Sequence, residues 1–190
     1  LSDDASGRWQ NKVMTNQLAR LLKYCVDTGK SPDIITIMCA LNDAAYGPIL
    51  GDFDSALNAD LGNVTPEEWF LDSKYKNLNK TVYGTSVFVI GSLRRNFPKA
   101  KIILLTGQQC NNGAYNNKNV NLVNEALIKV ASHYKLKTID IFNNSGIIVT
   151  DSQKSPYLSD DQIHPNKLGE QLLTDFVTKE LKRILYDEKY

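Results

Sequence analysis

Three short apolar runs restrict what this chain can fold into: "PDIITIMCA" from residue 32, "AKIILLT" from residue 100 and "LKTIDIF" from residue 136. Each has strand length, is rich in Ile or Leu, and is scarcely broken by polar residues, which is the pattern of a strand buried on both faces. Between and around them lie segments with apolar residues at helical spacing. Residues 11–25 carry Val13, Met14, Leu18, Leu21, Leu22 and Cys25, with Gly29 as a stop signal. Residues 81–97 carry Val82, Ser86, Val89, Ile90, Leu93 and Phe97, and Pro98 ends the run. Residues 119–134 and 166–186 complete the set, the last with a stripe of Leu168, Leu172, Leu173, Phe176, Val177, Leu181, Ile184 and Leu185.

Helices alternating with buried strands imply right-handed crossovers, and so a three-layer α/β/α arrangement with a parallel sheet between helices. Residues 1–190 read as one domain of this α/β class. Three strands make a small sheet for it, so one or two further strands are expected at the front. Residues 41–80 read as a long acidic loop with a short helix after Thr65-Pro66-Glu67-Glu68. A loop of that length inside a compact domain is usually functional.

The balance of charges narrows the partners. A net charge of +1 without a dense basic cluster gives no electrostatic footprint for nucleic acid. No apolar run approaches the roughly 18 residues of a membrane span, and no signal-peptide pattern opens the chain. The expectation is a soluble protein with neither nucleic-acid nor membrane partner, its compartment left open between cytoplasm and periplasm or exterior. Cys25, Cys39 and Cys110 are odd in number and lack metal-ligand spacing, so neither a disulfide framework nor a metal or cofactor is expected.

In open parallel sheets, ligands bind beyond the carboxyl ends of the strands. The first run exits into Asn42 and Asp43. The second exits into "GQQCNNGAYNN", and the third into a loop of about 20 residues that ends at Asp161 and His164. Taken alone, Asp161-x-x-His164 fits either a catalytic dyad or the turn that starts a helix. Asn42 fits a turn residue equally well, and Asp43 a carboxylate satisfying backbone amides.

Two of these stretches resemble a known family. "PDIITIMCALNDAAYG" is similar to the third conserved block of the SGNH or GDSL-type esterases, Gly-x-Asn-Asp at a strand end, and "DQIHPNKLGEQLL" resembles their fifth block, Asp-x-x-His-Pro-Asn before the last helix. "NFPKAKIILLT" resembles the stretch between those blocks, and the opening "LSDDASGRWQNKVMTNQLARLL" resembles the segment directly after the second block's glycine. The resemblance implies the family's flavodoxin-like fold of about five parallel strands and a serine ester hydrolase, an acylesterase or acetylesterase acting on small or carbohydrate esters. It assigns His164 as general base, Asp161 as the carboxylate that orients it, and Asn42 as an oxyanion donor. Each role suits its chemistry: an imidazole can take a proton near neutral pH, a carboxylate fixes its tautomer, and one amide donor contributes on the order of 3 kcal/mol to the transition state.

The sequence departs from the family in two places. Ala40 stands where the third block has glycine, and the first block, Gly-Asp-Ser with the nucleophile, occurs nowhere in the 190 residues. The expectation is that these residues are the carboxyl-terminal part of a hydrolase whose front lies upstream of Leu1. The "IITIM" strand would then expose an edge that favours self-association, as a homo-oligomer. The alternative is a binding or structural module that keeps the fold without turnover. Other residues read more plainly: Ser2 as an exposed serine, His133 as solvated, Cys110 as a poor thiol nucleophile without a cationic neighbour, and Trp9, Trp69 and Tyr46 as buried or as platforms for a sugar ring.

Overall fold

The computed structural model describes residues 14–45, 47–150 and 153–186. Ser2, Trp9 and Tyr46 lie outside the described residues. The elements run α1 (Met14–Thr28), β1 (Ile34–Met38), α2 (Leu41–Ala45), α3 (Phe53–Leu57), α4 (Pro66–Leu71), α5 (Val82–Asn96), β2 (Lys101–Leu105), β3 (Asn111–Asn112), β4 (Tyr115–Asn116), α6 (Asn117–His133), β5 (Lys137–Ile139), α7 (Ile141–Asn144) and α8 (Lys167–Tyr186), with one 3-10 turn at Ser73–Tyr75.

The three apolar runs become β1, β2 and β5, a parallel sheet in the order β1-β2-β5. Ile34 stands opposite Lys101 and Met38 opposite Leu105, while Ile103 meets Lys137 and Leu105 meets Ile139. Both crossovers step in the same direction across the sheet, so right-handedness places α5 and α6 on the same face. There Ile37, Ile102 and Leu104 pack into one core with Leu18 of α1, Phe88 and Ile90 of α5, and Val123, Leu127 and Val130 of α6. The chain then turns back, and α8 covers the opposite face through Ile103, Leu105, Ile139 and Ile184. The layered α/β/α arrangement read from the sequence is what forms.

α5 shows how local signals and packing agree. Thr81 caps its start by accepting from the Gly84 amide at 3.0 Å, and Pro98 follows its end. Residues Val82 and Gly84 to Leu93 are buried, so α5 is a central helix rather than an amphipathic surface one. The acidic 41–80 stretch is more regular than expected, because capping residues start short helices within it. Asp52 caps α3, and Thr65 with Glu68 forms a full capping box over Pro66 at the start of α4. That helix delivers Trp69 into the core, 1% exposed and stacked on Phe88 with ring centroids 4.5 Å apart. Trp69 is therefore a packing residue and not a platform for a sugar.

The third run is shorter as a strand than it reads. Asp140 ends it by capping α7, its carboxylate accepting from the Asn143 amide at 3.2 Å.

β1 differs from its neighbours. Among the described residues its single strand partner is β2, and α8 does not extend over it. Ile34 and Met38 remain 45% and 48% exposed, whereas Ile102 to Leu105 of β2 are buried. Among the described residues "IITIM" is thus an edge strand with Ile34 and Met38 half exposed on one face. No described helix is long and apolar enough to cross a membrane.

Candidate active site

At the exit of β1 the backbone turns sharply. Ala40 has φ = 139°, a conformation that favours glycine, and its carbonyl accepts the Ala44 amide at 2.9 Å to start α2. This position is where the resemblance placed glycine, and the turn shows the physical reason for that preference. The methyl group of Ala40 fits because Gly107, at the exit of β2, has no side chain: a Cβ there would stand 3.2 Å from that of Ala40. Gly107 is fixed in turn by Asn124 of α6, which accepts from its amide at 2.9 Å and donates to its carbonyl at 3.1 Å from a fully buried position.

The turn leaves Asn42 exposed in the first residues of α2, with Asp43 buried beside it. Met14, Met38, Cys39, Ala40, Leu41, Asn42, Asp43 and Gly107 line a hollow of about 310 Å³ at this end of the sheet.

Asp161 and His164 meet at the end of the third strand's long loop. Asp161 Oδ2 lies 2.6 Å from His164 Nδ1, and its Oδ1 accepts the amides of Ile163 and His164 at 2.9 and 3.0 Å. The hydrogen bond from the His164 side chain, followed by those from the His164 and Ile163 amides, holds the Asp161 carboxyl down at about 2 from an ordinary 3.8. An ionised carboxylate on Nδ1 fixes the tautomer and leaves Nε2 as the proton-accepting end. The imidazole is 75% exposed, and among the described residues no hydroxyl or thiol is hydrogen-bonded to it.

The loop that presents this pair is tied down by amide side chains. Gln162 has φ = 51°; its Oε1 accepts from the Ser155 amide at 2.7 Å and its Nε2 donates to the Ser159 carbonyl at 2.9 Å. Gln108 Nε2 donates to Ile163 O at 3.0 Å, and the Asn111 amide donates to Gln162 O at 3.1 Å. Asn166 caps α8 through the Leu168 and Gly169 amides and donates to the carbonyls of Pro156 and Leu158. Gln108, Gln109 and Asn117 thus belong to one ordered network of side-chain amides.

The β3–β4 hairpin joins the two halves of the site. Asn112 Nδ2 donates to Asp161 O at 2.7 Å, and across the hairpin from Asn112 the Tyr115 hydroxyl donates to Asn42 Oδ1 at 3.5 Å. Asn42, Asp161 and His164 therefore share one rim at the carboxyl ends of the strands. Cys110 is fully buried, and burial pushes its thiol up to about 11, which removes it as a nucleophile near neutral pH. His133 packs edge-on against Phe53 and Tyr134, far along α6 from the rim. Among the described residues no group of three or more His, Cys, Asp or Glu side chains could hold a metal ion.

Comparison with known proteins adds to this geometry. Residues 4–172 match the model of the GDSL-like Lipase/Acylhydrolase family. The fold is similar to that of a protein from Lactobacillus plantarum, at 16% identity and a TM-score of 0.61 over 90% of this chain and 73% of the other. A lipase/acylhydrolase from Enterococcus faecalis is similar at 18% identity and a TM-score of 0.57, covering 90% and 71% of the two chains. A carbohydrate esterase family 3 protein from Talaromyces cellulolyticus is similar at 16% identity and 0.53, covering 92% and 68%. Identities this low speak to the fold alone. Among curated proteins none matches the chain.

Proposed function

The chain belongs to the GDSL-like lipase/acylhydrolase family, and on that premise we propose that it forms the base and oxyanion side of a serine ester hydrolase, with His164, Asp161 and Asn42 in catalytic roles. The observation that carries this reading is the 2.6 Å Asp161–His164 pair, open to solvent and joined through one hairpin to an exposed Asn42.

A serine hydroxyl approaching Nε2 of His164 would pass its proton there as Oγ attacks the ester carbonyl. The resulting tetrahedral oxyanion would accept a hydrogen bond from Asn42 Nδ2, a contribution of about 3 kcal/mol for one such donor. As the intermediate collapses, the imidazolium returns its proton to the departing alcohol, leaving an acyl-serine that water hydrolyses with His164 again as base. Asp161 stays ionised throughout and stabilises the imidazolium. Its low carboxyl pKa fits that role.

The serine comes from outside these 190 residues, since no Gly-Asp-Ser block is among them. The uncovered edge of β1 and the hollow beside Asn42 support the entry of an extended segment as a further parallel strand, its end reaching the rim. A second copy of the chain pairing along the same edge is the competing use of that surface. For substrate, the polar rim of Asn111, Asn112 and Asn116 supports a short acyl group on a small polar or carbohydrate alcohol, and the carbohydrate esterase similar in fold is consistent with this.

A second reading, a binding module without turnover, is favoured by Ala40 in a glycine conformation and by an imidazole to which no nucleophile is bonded among the described residues. The test is hydrolysis of p-nitrophenyl acetate, with fluorophosphonate labelling, by protein expressed with whatever coding sequence precedes Leu1. Activity abolished in His164→Ala supports the hydrolase. Activity that persists in that variant refutes the assigned base, and absence of both turnover and labelling favours the binding module.

A further inference from the structure

We propose that Tyr115 is a positioning residue that decides which end of the Asn42 amide faces the reaction, an inference that rests on Asn42 being an oxyanion donor. A carboxamide has two unlike ends. Its NH2 stabilises a developing oxyanion, whereas its oxygen in the same place would repel one. Asn42 is exposed at the start of a five-residue helix, and rotation about its terminal torsion is soft, so its own backbone does not choose between the two orientations.

The choice is made from the hairpin. The Tyr115 hydroxyl, a donor, lies 3.5 Å from Asn42 Oδ1, which occupies the oxygen end and leaves the NH2 end to the rim. The contact is long, as catalytic hydrogen bonds often are before substrate binds. The phenol itself has little freedom. Its ring packs against the main core, its residue pairs with Asn112 across the turn at Gly113, and the next residue, Asn116, caps α6 by accepting from the Asn119 amide at 2.9 Å. Asn119 in turn donates to Ala44 O at 3.2 Å, so α2, which carries Asn42, is fastened to the same helix start. Through Asn112 the hairpin also holds the carbonyl of Asp161. One short hairpin therefore sets the orientation of the donor and the place of the base.

Tyr115→Phe keeps the ring and its packing and removes only the hydroxyl. On purified protein carrying its upstream sequence, kcat for p-nitrophenyl acetate is expected to fall about tenfold, part of the roughly 10²–10³-fold that loss of one oxyanion donor costs. KM and the urea midpoint should stay unchanged. In an Asn42→Ala background the same substitution should change kcat less than about twofold, because the group it orients is gone. A full additional loss in that background, or no loss in the single variant, overturns the inference.

A second measurement does not depend on turnover. In 15N NMR spectra, the Asn42 side-chain NH2 should gain mobility in Tyr115→Phe while that of the buried Asn124 does not. An unchanged Asn42 signal overturns the inference. A changed signal in a protein with no esterase activity supports the positioning contact and defeats the hydrolase reading alone.

Discussion

Gly169→Ala puts two physical effects in direct opposition within α8. Helix propensity alone favours alanine there by about 1 kcal/mol. Packing opposes it, because a Cβ at this position would lie 2.0 Å from the Tyr157 carbonyl oxygen and 3.0 Å from its carbon. Both are backbone atoms, so no side chain can swing aside, and the helix must part from the 155–158 loop by more than an ångström. That separation strains the bond from the Asn166 amide to Tyr157 O at 3.0 Å and those from Asn166 Nδ2 to Pro156 O and Leu158 O at 2.8 and 3.0 Å. At about 1 kcal/mol for each half-exposed bond, with a further 1–3 kcal/mol for overpacking, the loss comes to roughly 4–6 kcal/mol against the gain of about 1. Partial relaxation of the loop lowers the expected net destabilisation to about 3 kcal/mol.

Urea unfolding followed by far-UV circular dichroism measures this directly. Thr174→Ala, at an exposed site on the same helix, serves as the reference and should be neutral or slightly stabilising. Equal or greater stability of Gly169→Ala would show that the helix and loop do not approach as closely as described. Because the same contact seats the loop bearing Asp161 and His164, the variant should also lower the esterase activity proposed above.

Other consequences can be checked separately. Asp161→Asn should lower kcat by roughly 10³- to 10⁴-fold while leaving the fold intact, as seen in the near-UV spectrum, since an amide neither stabilises the imidazolium nor fixes its tautomer. The Asp161 carboxyl is depressed in the folded state, so its stabilising effect is present above the ordinary value of 3.8 and is lost as pH falls toward 2. Urea midpoints taken from pH 5 down to pH 2 should show that part of the fall missing in Asp161→Asn. Ala40→Gly relieves a φ of 139° at the expense of one buried methyl, so its urea midpoint should match or exceed wild type, whereas Ala44→Gly in α2 should lose about 1–2 kcal/mol. The Cys110 thiol, pushed up to about 11 by burial, should resist alkylation by iodoacetamide at pH 8 until the protein is unfolded.

The sheet and its crossovers were legible because length and composition speak for them, although of "IITIM" and "KIILL" the second alone is buried on both faces as its apolar run suggests. The main helices were legible through apolar spacing and through stops, Gly29 and Pro98 among them. The spacing of Asp161 and His164 left a dyad and a helix-start turn equally open, and it was the resemblance of "DQIHPNKLGEQLL" to a known block that paired them. Less visible were contacts between segments distant in sequence. Nothing local marks Gly107 as the residue that makes room for the Ala40 methyl, or Asn124 as its anchor 17 residues on. In "GQQCNNGAYNN" each amide that finds a backbone carbonyl fixes the loop, and polar composition alone does not mark which ones will. The hairpin could have been suspected from Asn112-Gly113, a pair suited to tight turns. Its link to Asn42 could not, since Tyr115 and Asn42 are 73 residues apart.

The composition of that network bears on how the site would behave. The loop holding His164 is fastened from Gln108, Asn111, Asn112, Gln162 and Asn166 through neutral amide bonds to backbone groups. Such bonds depend on neither pH nor ionic strength in the way that ion pairs do. Among the bonds described for this loop, the charged ones are those of the Asp161 carboxylate, to the His164 ring and to the Ile163 and His164 amides. Rim geometry should therefore persist on acidification until the Asp161 carboxyl itself, held down at about 2, takes up a proton. In the proposed role of base, an imidazole 75% exposed has particular need of this arrangement. Burial does not hold the imidazole in place, and its orientation must come from the carboxylate behind it and from the amides that hold the carboxylate's own loop.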